Sequence, residues 1–428
     1  MSRKSQQILG RIFLLMLLLG GQLHDAAAAT TVLRTGKLVD GTGKTITNAV
    51  VVIDDDRITS VGGAGSPVPA NAKVIDLSKY TVIPGMIDVH THMTFFWDGK
   101  PGTTPYRQPR MLPAETVFLA QANARKTLDC GVTTVRDLNA VDSEDIAMRN
   151  LINRGAMIGP RMFVSSYGLG TRPGFVSPSG FPINGVPDMM KAVRDVIEAG
   201  ADWVKLFAST GGTQDLTGTP VFTYDEIKTA VEVAHLSGKR VAVHTYGPAA
   251  AREAVRAGAD TIEHAIDIDD ETLAAMARQG TYYVPTIYHN EFYADNDDRF
   301  GFPSGKVEKF HEFEGENLET TRRALKAGVP VAMGSDAVFT LFGQNTRELG
   351  ALVKAGMTPT QALAAATTTG AALLGMEQSL GKISPGYYAD IVAVEGDPLS
   401  DINVLINNVQ WVMKAGGVVV DKTQPAAP

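Results

Sequence analysis

Two imidazoles separated by one residue stand at the end of an apolar run: His90 and His92 in VIPGMIDVHTHM, residues 82–93. Alternate residues of a β-strand point the same way, about 6.5–7 Å apart, so both rings can reach one ion. Surface histidines, or core histidines with hydrogen-bond partners, also explain such a pair. Lys205 lies between Val204 and Leu206 in DWVKLF. A lysine on a central strand is costly when buried and unpaired. A carboxylate partner or an outward orientation removes that cost. So does uptake of CO₂, which turns the amine into a carbamate able to bridge two metal ions. His244 in VAVHTYG and His264 in TIEHAID each follow an apolar run, and Asp336 in VAMGSDAVF follows a Gly-Ser turn. Each has a structural explanation alone. Together the six form a nitrogen and oxygen donor set suited to Zn²⁺ or a similar divalent ion.

The elements that must position them alternate. Strand patterns run over 86–92, 131–137, 161–166, 202–207, 240–245, 260–265, 281–286 and 329–336. Helical patterns lie between most of them, and many end in Gly, the favoured residue after a helix C-terminus. Eight such strands over roughly 250 residues predict a (β/α)₈ TIM barrel, whose functional groups collect at the C-terminal ends of its strands. All six residues sit there. A doubly wound open sheet is the alternative. The flanks are rich in Val and Ile and punctuated by Gly and Asp turns, which predicts short β-strands. The organisation expected is therefore a barrel over 86–378 with a small β-sandwich formed by both ends, 30–85 and 379–428. The stretch from Tyr288 to Lys309 reads as a long polar insertion after the seventh strand.

Residues 1–29 are set apart. Arg3, Lys4 and Arg11 precede the apolar run IFLLMLLLGG, and Ala26 to Ala29 offer a cleavage site. The run is too short to span a membrane, so a cleaved signal peptide and an exported protein, periplasmic or secreted, are expected, with no membrane association afterwards. The whole chain carries 39 basic and 46 acidic side chains. Losing the leader takes three basic and one acidic, which leaves 36 and 45 and a formal charge of −9. That argues against a nucleic-acid partner. Cys130 is the only cysteine, so no internal disulfide forms, and a buried apolar role is expected.

PGMIDVHTH, Lys205, the single histidines His244 and His264, GSDA around Asp336, and the tail segment GKISPGYYADIVAVEGDPL resemble the amidohydrolase superfamily. The likeness runs from about Thr31 to Val420. Within the superfamily, GADWVKLFASTGG and GADTIEHAIDIDDETLAAMARQGTYYVPT are similar to the Xaa-Pro dipeptidase and imidazolonepropionase branch. The chain also resembles secreted bacterial amidohydrolases that cleave ochratoxin A, an amide of phenylalanine. The resemblance implies a distorted (β/α)₈ barrel with a small sandwich, and a homo-oligomer. It implies that His90, His92 and Asp336 hold the more buried of two metal ions. His244 and His264 would hold the more exposed one, and carbamylated Lys205 would bridge them. Asp336 would also serve as the base that accepts a proton from the attacking water and delivers it to the leaving amine.

Dipeptidase relatives often carry a histidine in the Gly-rich loop after the third strand. This chain has no histidine between His92 and His235. Arg172, in GLGTRPGF, is the candidate to pair with a substrate carboxylate; a solvated loop arginine is the alternative. Tyr246 is placed to donate to a developing oxyanion, or to pack as a buried tyrosine. His289 either lines the substrate pocket or sits in a loop. Phe95, Phe96 and Trp97 offer an apolar wall for an aromatic substrate, or barrel packing. His235 and His311 read as helix-surface residues. The expected activity is hydrolysis of an amide or peptide bond in a small molecule, dipeptidase- or carboxypeptidase-like, releasing an apolar or aromatic C-terminal amino acid. A lactonase or cyclic-amide hydrolase with the same metals, or a mononuclear deaminase, are the alternatives. Lys205 weighs against the deaminase, which does not need it.

Overall fold

The computed structural model describes residues 30–424, apart from 101, 110, 173, 176–180, 213 and 214. The segment read as an export signal lies outside the described residues. Among these, no helix is long and apolar enough to cross a membrane.

Five strands come first: β1 (Thr30–Val39), β2 (Thr45–Thr47), β3 (Val50–Asp54), β4 (Arg57–Gly62) and β5 (Lys73–Pro84). One residue later the barrel begins with β6 (Met86–Thr91), followed by β7 (Val132–Asp137) and β8 (Arg161–Val164). β9 (Trp203–Phe207), β10 (Arg240–Thr245), β11 (Thr261–His264) and β12 (Tyr282–Val284) continue it. The chain ends in β13 (Ile391–Val394), β14 (Val409–Lys414) and β15 (Gly417–Asp421). The last three return to the first five in one sheet, in the order β15-β14-β13-β5-β1-β3-β4, with β2 paired to β1. Runs such as VVVID and IVAV suit a sheet because branched side chains pack well on a pleated surface. Leu33, Val51, Ile53, Val82, Ile391 and Trp411 form its own buried core.

The barrel strands are parallel and hydrogen-bonded as β6-β7-β8 and β9-β10-β11-β12. Single bridges close the ring. Leu169 joins the chain after β8 to β9: its N–H donates to Lys205 O at 2.8 Å, and Phe207 N–H donates to Leu169 O at 2.8 Å. The expected eighth strand, 329–336, is not a regular strand. It is held by bridges from Val331 to Tyr283 and from Ala337 to Thr91, with Val89 N–H donating to Met333 O at 3.0 Å and Asp336 N–H to His90 O at 2.8 Å. Two features interrupt it. Asp336 has φ +50°, outside strand geometry. Gly334 has no room for a side chain, since a Cβ there would lie 2.5 Å from Val284 and 2.8 Å from Cβ of His90. The architecture is a distorted (β/α)₈ barrel.

Local signals place the helices. Thr223 and Glu226 form a reciprocal cap on helix Tyr224–Leu236. Asp269 caps helix Asp270–Gln279 by accepting from Thr272 N–H at 2.7 Å. The polar insertion expected over 288–309 is instead built from helices, Ile287–Asp295 and Asp297–Phe300, followed by the start of Lys306–Lys326. Its polar residues mask the aromatic ones, Phe292, Tyr293 and Phe300, which are buried against one another and against Phe310. Cys130 is buried, and His235 and His311 lie on helix surfaces.

Candidate active site

His90 and His92 leave β6 on one face and point into the barrel mouth. Lys205 rises from β9, His244 from β10 and His264 from the end of β11, and Asp336 comes from the interrupted eighth segment. All six are buried. His90 Nε2 lies 3.5 Å from Lys205 Nζ and 3.5 Å from Asp336 Oδ1. His92 Nε2 lies 2.9 Å from the same carboxylate oxygen. The rings of His90 and His264, and those of His264 and His244, are 4.8 Å apart between centres. The donor atoms of His90, His264 and Asp336 lie within 4.8 Å of one another, close enough to converge on one ion.

Three of the four histidines are oriented from behind. His90 Nδ1 meets Glu263 Oε2 at 2.7 Å, His92 Nδ1 donates to Asn139 O at 3.2 Å, and His264 Nδ1 meets Thr286 Oγ1 at 2.6 Å. Asp336 is fixed by its neighbours: Ser335 N–H and Oγ donate to Asp88 at 2.9 and 2.5 Å, and Asn345 Nδ2 donates to Asp88 at 2.9 Å. His264, Thr286 and Asp336 all hold positive φ, between 50° and 71°. Such conformations cost of order 1–3 kcal/mol each and persist where surrounding contacts over-determine them.

Burial governs the electrostatics. It lowers His90 to about 4 and Lys205 to about 8, and it takes His244 and His264 well below the usual histidine range. The imidazoles are therefore neutral at pH 7, and a useful fraction of Lys205 is the free amine. Burial acts to raise Asp336, but His289, His90, His92 and His264 around it outweigh that and hold its carboxyl well below the ordinary range. Nε2 of His244 is buried with no hydrogen-bond partner. Neutral imidazoles, an ionised carboxylate, a deprotonatable amine and an orphaned ring nitrogen make a donor set that fits divalent metal.

Above them opens a cavity of about 420 Å³ lined by aromatic side chains, among them Phe95, Tyr106, Phe175, Phe207, Tyr293 and Phe339. Phe95 stacks on His92 with centres 5.1 Å apart, and Phe175 packs on Phe207 at 4.4 Å. Trp97 packs instead on Phe300, outside the lining. Tyr246 lines the cavity beside His244, and burial keeps its hydroxyl protonated. His289 is a helix residue, not a loop one. Its Nδ1 donates to Asp336 O at 2.9 Å and its Nε2 lies 3.4 Å from Asp336 Oδ2, on the cavity wall. Arg172 is not brought to the site. It lies exposed on a bend and is absent from the lining.

The profile of the amidohydrolase family matches residues 81–419 of the 428, from the last strand before the barrel to the end of the sheet. The chain belongs to the amidohydrolase family. It is a hydrolase, and its family commonly uses metal ions. It is 30% identical over 415 residues to ochratoxinase of Aspergillus niger, covering 88% of this chain and 83% of that one. It is 32% identical to the structure of a Xaa-Pro dipeptidase with bound methionine in the active site, at a TM-score of 0.83 over 91% of this chain and 99% of that one. Imidazolonepropionase of Kosmotoga olearia is 23% identical over 410 residues, covering 87% and 91%.

Sequence reading missed two buried charges behind the amidohydrolase site, Arg136 and Glu263. Both interrupt apolar strand runs, VTTVRD and TIEH, the same signal that exposed Lys205. It also missed Asn139 and Thr286, whose small polar side chains carry no such mark.

Proposed function

We propose that this chain is a binuclear metal-dependent amidase that releases a C-terminal amino acid, apolar or aromatic, from N-acyl amino acids or dipeptides, with ochratoxin A among its substrates. One observation carries the reading: six metal-capable side chains from four strands and the eighth segment converge on the floor of an aromatic-walled cavity. The likeness to ochratoxinase and to a Xaa-Pro dipeptidase supports the substrate class. Residues 1–29 alone support export to the periplasm or beyond.

His90 and His92, with Asp336, would hold one ion, and His244 and His264 the other. Lys205 would stand between them as its carbamate, which its free-amine fraction allows. When bound, the ions, for which the donor set suits Zn²⁺, would supply Lewis-acid activation of the carbonyl and of water. The protein's own residues do the rest. The Asp336 carboxylate accepts a proton from the attacking water as the C–O bond forms. It then returns that proton to the amide nitrogen as the C–N bond breaks, so carboxylate and free amine are both regenerated. Its backbone is fixed through Ser335, His90 and His289, which keeps the carboxylate from swinging away between the two transfers. The Tyr246 hydroxyl donates to the oxygen that gains charge, and His289 Nε2 faces the substrate. Phe95, Phe175 and Phe207 exclude water and receive apolar groups.

The test is a screen of N-acyl amino acids, dipeptides with varied C-terminal residues and ochratoxin A, read as release of the free amino acid. Turnover of N-acyl aromatic amino acids is the expected result. Activity confined to lactones or nucleobases would overturn the amidase reading.

A further inference from the structure

Arg136, Glu263 and His90 form a line of side chains through the barrel interior, below the cavity floor. All three are fully buried. Arg136 spends its guanidinium on three acceptors: Nε donates to Val89 O at 2.6 Å, Nη1 to Thr261 Oγ1 at 3.1 Å and Nη2 to Glu263 Oε1 at 2.9 Å. Its planar group lies 4.5 Å from the ring centre of Trp203. The Thr261 hydroxyl also donates to Glu263 Oε1, and Glu263 Oε2 meets His90 Nδ1 at 2.7 Å.

A buried ion pair is weak evidence for stability, because desolvation offsets the attraction and apolar replacements are often neutral. Its geometry says more. Every group that faces Glu263 here is a donor, since the carboxylate can only accept. His90 must therefore carry its proton on Nδ1. Its bare Nε2 then faces Lys205 Nζ and Asp336 Oδ1, both at 3.5 Å. The reverse tautomer would aim an N–H into the donor cluster and end the ring's use as a ligand.

We propose that Glu263, clamped by Arg136 and Thr261, is a positioning residue that fixes the tautomer and ring orientation of His90 for metal binding. The proposal rests on the metal-centre reading above. It names a residue on β11 that serves a ligand on β6 from across the barrel, while its chain neighbour His264 enters the same donor cluster directly. Carboxylates behind metal-bound histidines commonly matter at the level of about 10–100-fold in affinity.

The clamp makes a specific substitution pattern diagnostic. In Glu263→Gln the amide oxygen must face Arg136, whose guanidinium can only donate, while the Thr261 hydroxyl turns to suit either end of the amide. The amide N–H₂ is then left against His90 Nδ1 and drives the proton to Nε2. In the double variant Arg136→Met, Glu263→Gln the obligate donor is gone, and the Thr261 hydroxyl can accept from the amide N–H₂. The amide can turn its oxygen to His90 and restore the working tautomer. This pair of uncharged residues also keeps the test alive if the single variant, with Arg136 unpaired, does not fold.

The experiment measures zinc per chain by elemental analysis and the rate of zinc loss to a chelator, for full-length wild type, both variants and His90→Ala. The single variant is expected to hold zinc about 10–100-fold more weakly than wild type, and the double variant to regain most of the loss. Both variants holding zinc like wild type would overturn the proposal, as would a double variant that folds but holds no more than the single or, if the single is unfolded, no more than His90→Ala. A wild type without zinc, or a His90→Ala variant that holds as much as wild type, would instead refute the metal-centre reading on which it rests.

Discussion

His244 and His264 stand 4.8 Å apart between ring centres, yet only His264 is anchored: Thr286 holds its Nδ1 at 2.6 Å, while Nε2 of His244 is buried without a partner. Leaving a buried polar atom unsatisfied costs about 1–3 kcal/mol. His244→Leu is therefore expected to leave the metal-free protein as stable as wild type or more so, and to remove part of the stabilisation that zinc adds. Thermal melts in chelator and in excess Zn²⁺ measure both. A metal-free variant that melts well below wild type, with its zinc response intact, contradicts this.

Asp336→Asn separates the base from the ligand. Asparagine tolerates the left-handed φ of +50°, so the backbone is kept. The loss in kcat is expected to be at least the roughly 10²–10⁴-fold typical of a positioned acid–base group. Zinc content should fall less than in His90→Ala. Equal metal loss in the two variants would undo the role as base.

Lys205→Ala should lower zinc from nearly two ions per chain toward one and abolish most activity. Wild-type protein prepared without CO₂ and then given Zn²⁺ should regain activity on adding bicarbonate. A wild-type content near one, with activity unchanged in the variant, would refute the bridged site.

Gly168→Ala tests how tightly the cavity wall is set. A Cβ there would lie 2.2 Å from the Phe207 ring and 3.2 Å from Cγ of Lys205. Overpacking of this kind costs about 1–3 kcal/mol. A lowered Tm is expected, with a larger fall in kcat/KM than the stability change explains, because the displaced ring abuts both His244 and Lys205. Unchanged kinetics and melting would mean that the wall yields freely.

Glu348 gives a pH test remote from the donor cluster. It is buried and accepts from the N–H groups of Ile287 and Tyr288 at 2.9 and 2.8 Å, at the head of the helix that bears His289. Burial outweighs those two bonds and raises its carboxyl from 4.5 to about 8. A folded value above the unfolded one means that its contribution to stability is full below pH 4.5 and is lost as pH rises through 8. Tm should fall across that window, and the slope should flatten in Glu348→Gln. A parallel decline in the two proteins would exclude it as the source.

Position along the strands made most of the site legible. His90, His92, Lys205, His244 and His264 could be placed because each terminates or interrupts an apolar run that reads as a buried parallel strand. Asp336 was legible as a residue but not as a conformation, since neither its φ nor the failure of its strand is written in VAMGSD. The helices over 287–300 were hidden because polar residues outnumber the aromatics that decide their packing. Arg136 and Glu263 carried the same mark as Lys205. Their meaning depends on a contact across 127 residues of chain, and periodicity does not report such pairings. Arg172, read from charge alone, lies exposed and outside the cavity lining.

The bridges at the eighth segment fasten the two ends of the barrel to each other. There the chain's first barrel strand meets residues some 247 positions later, through few backbone bonds and the Asp88–Ser335 pair. A ligand held by both His90 and Asp336 would act as a rivet across that junction. Closing so long a loop costs chain entropy mainly once, at assembly. Metal capture would then be the last stitch of folding as well as the first event of catalysis, and chelation should loosen amide protons around 331–337 before those of β9 or β10.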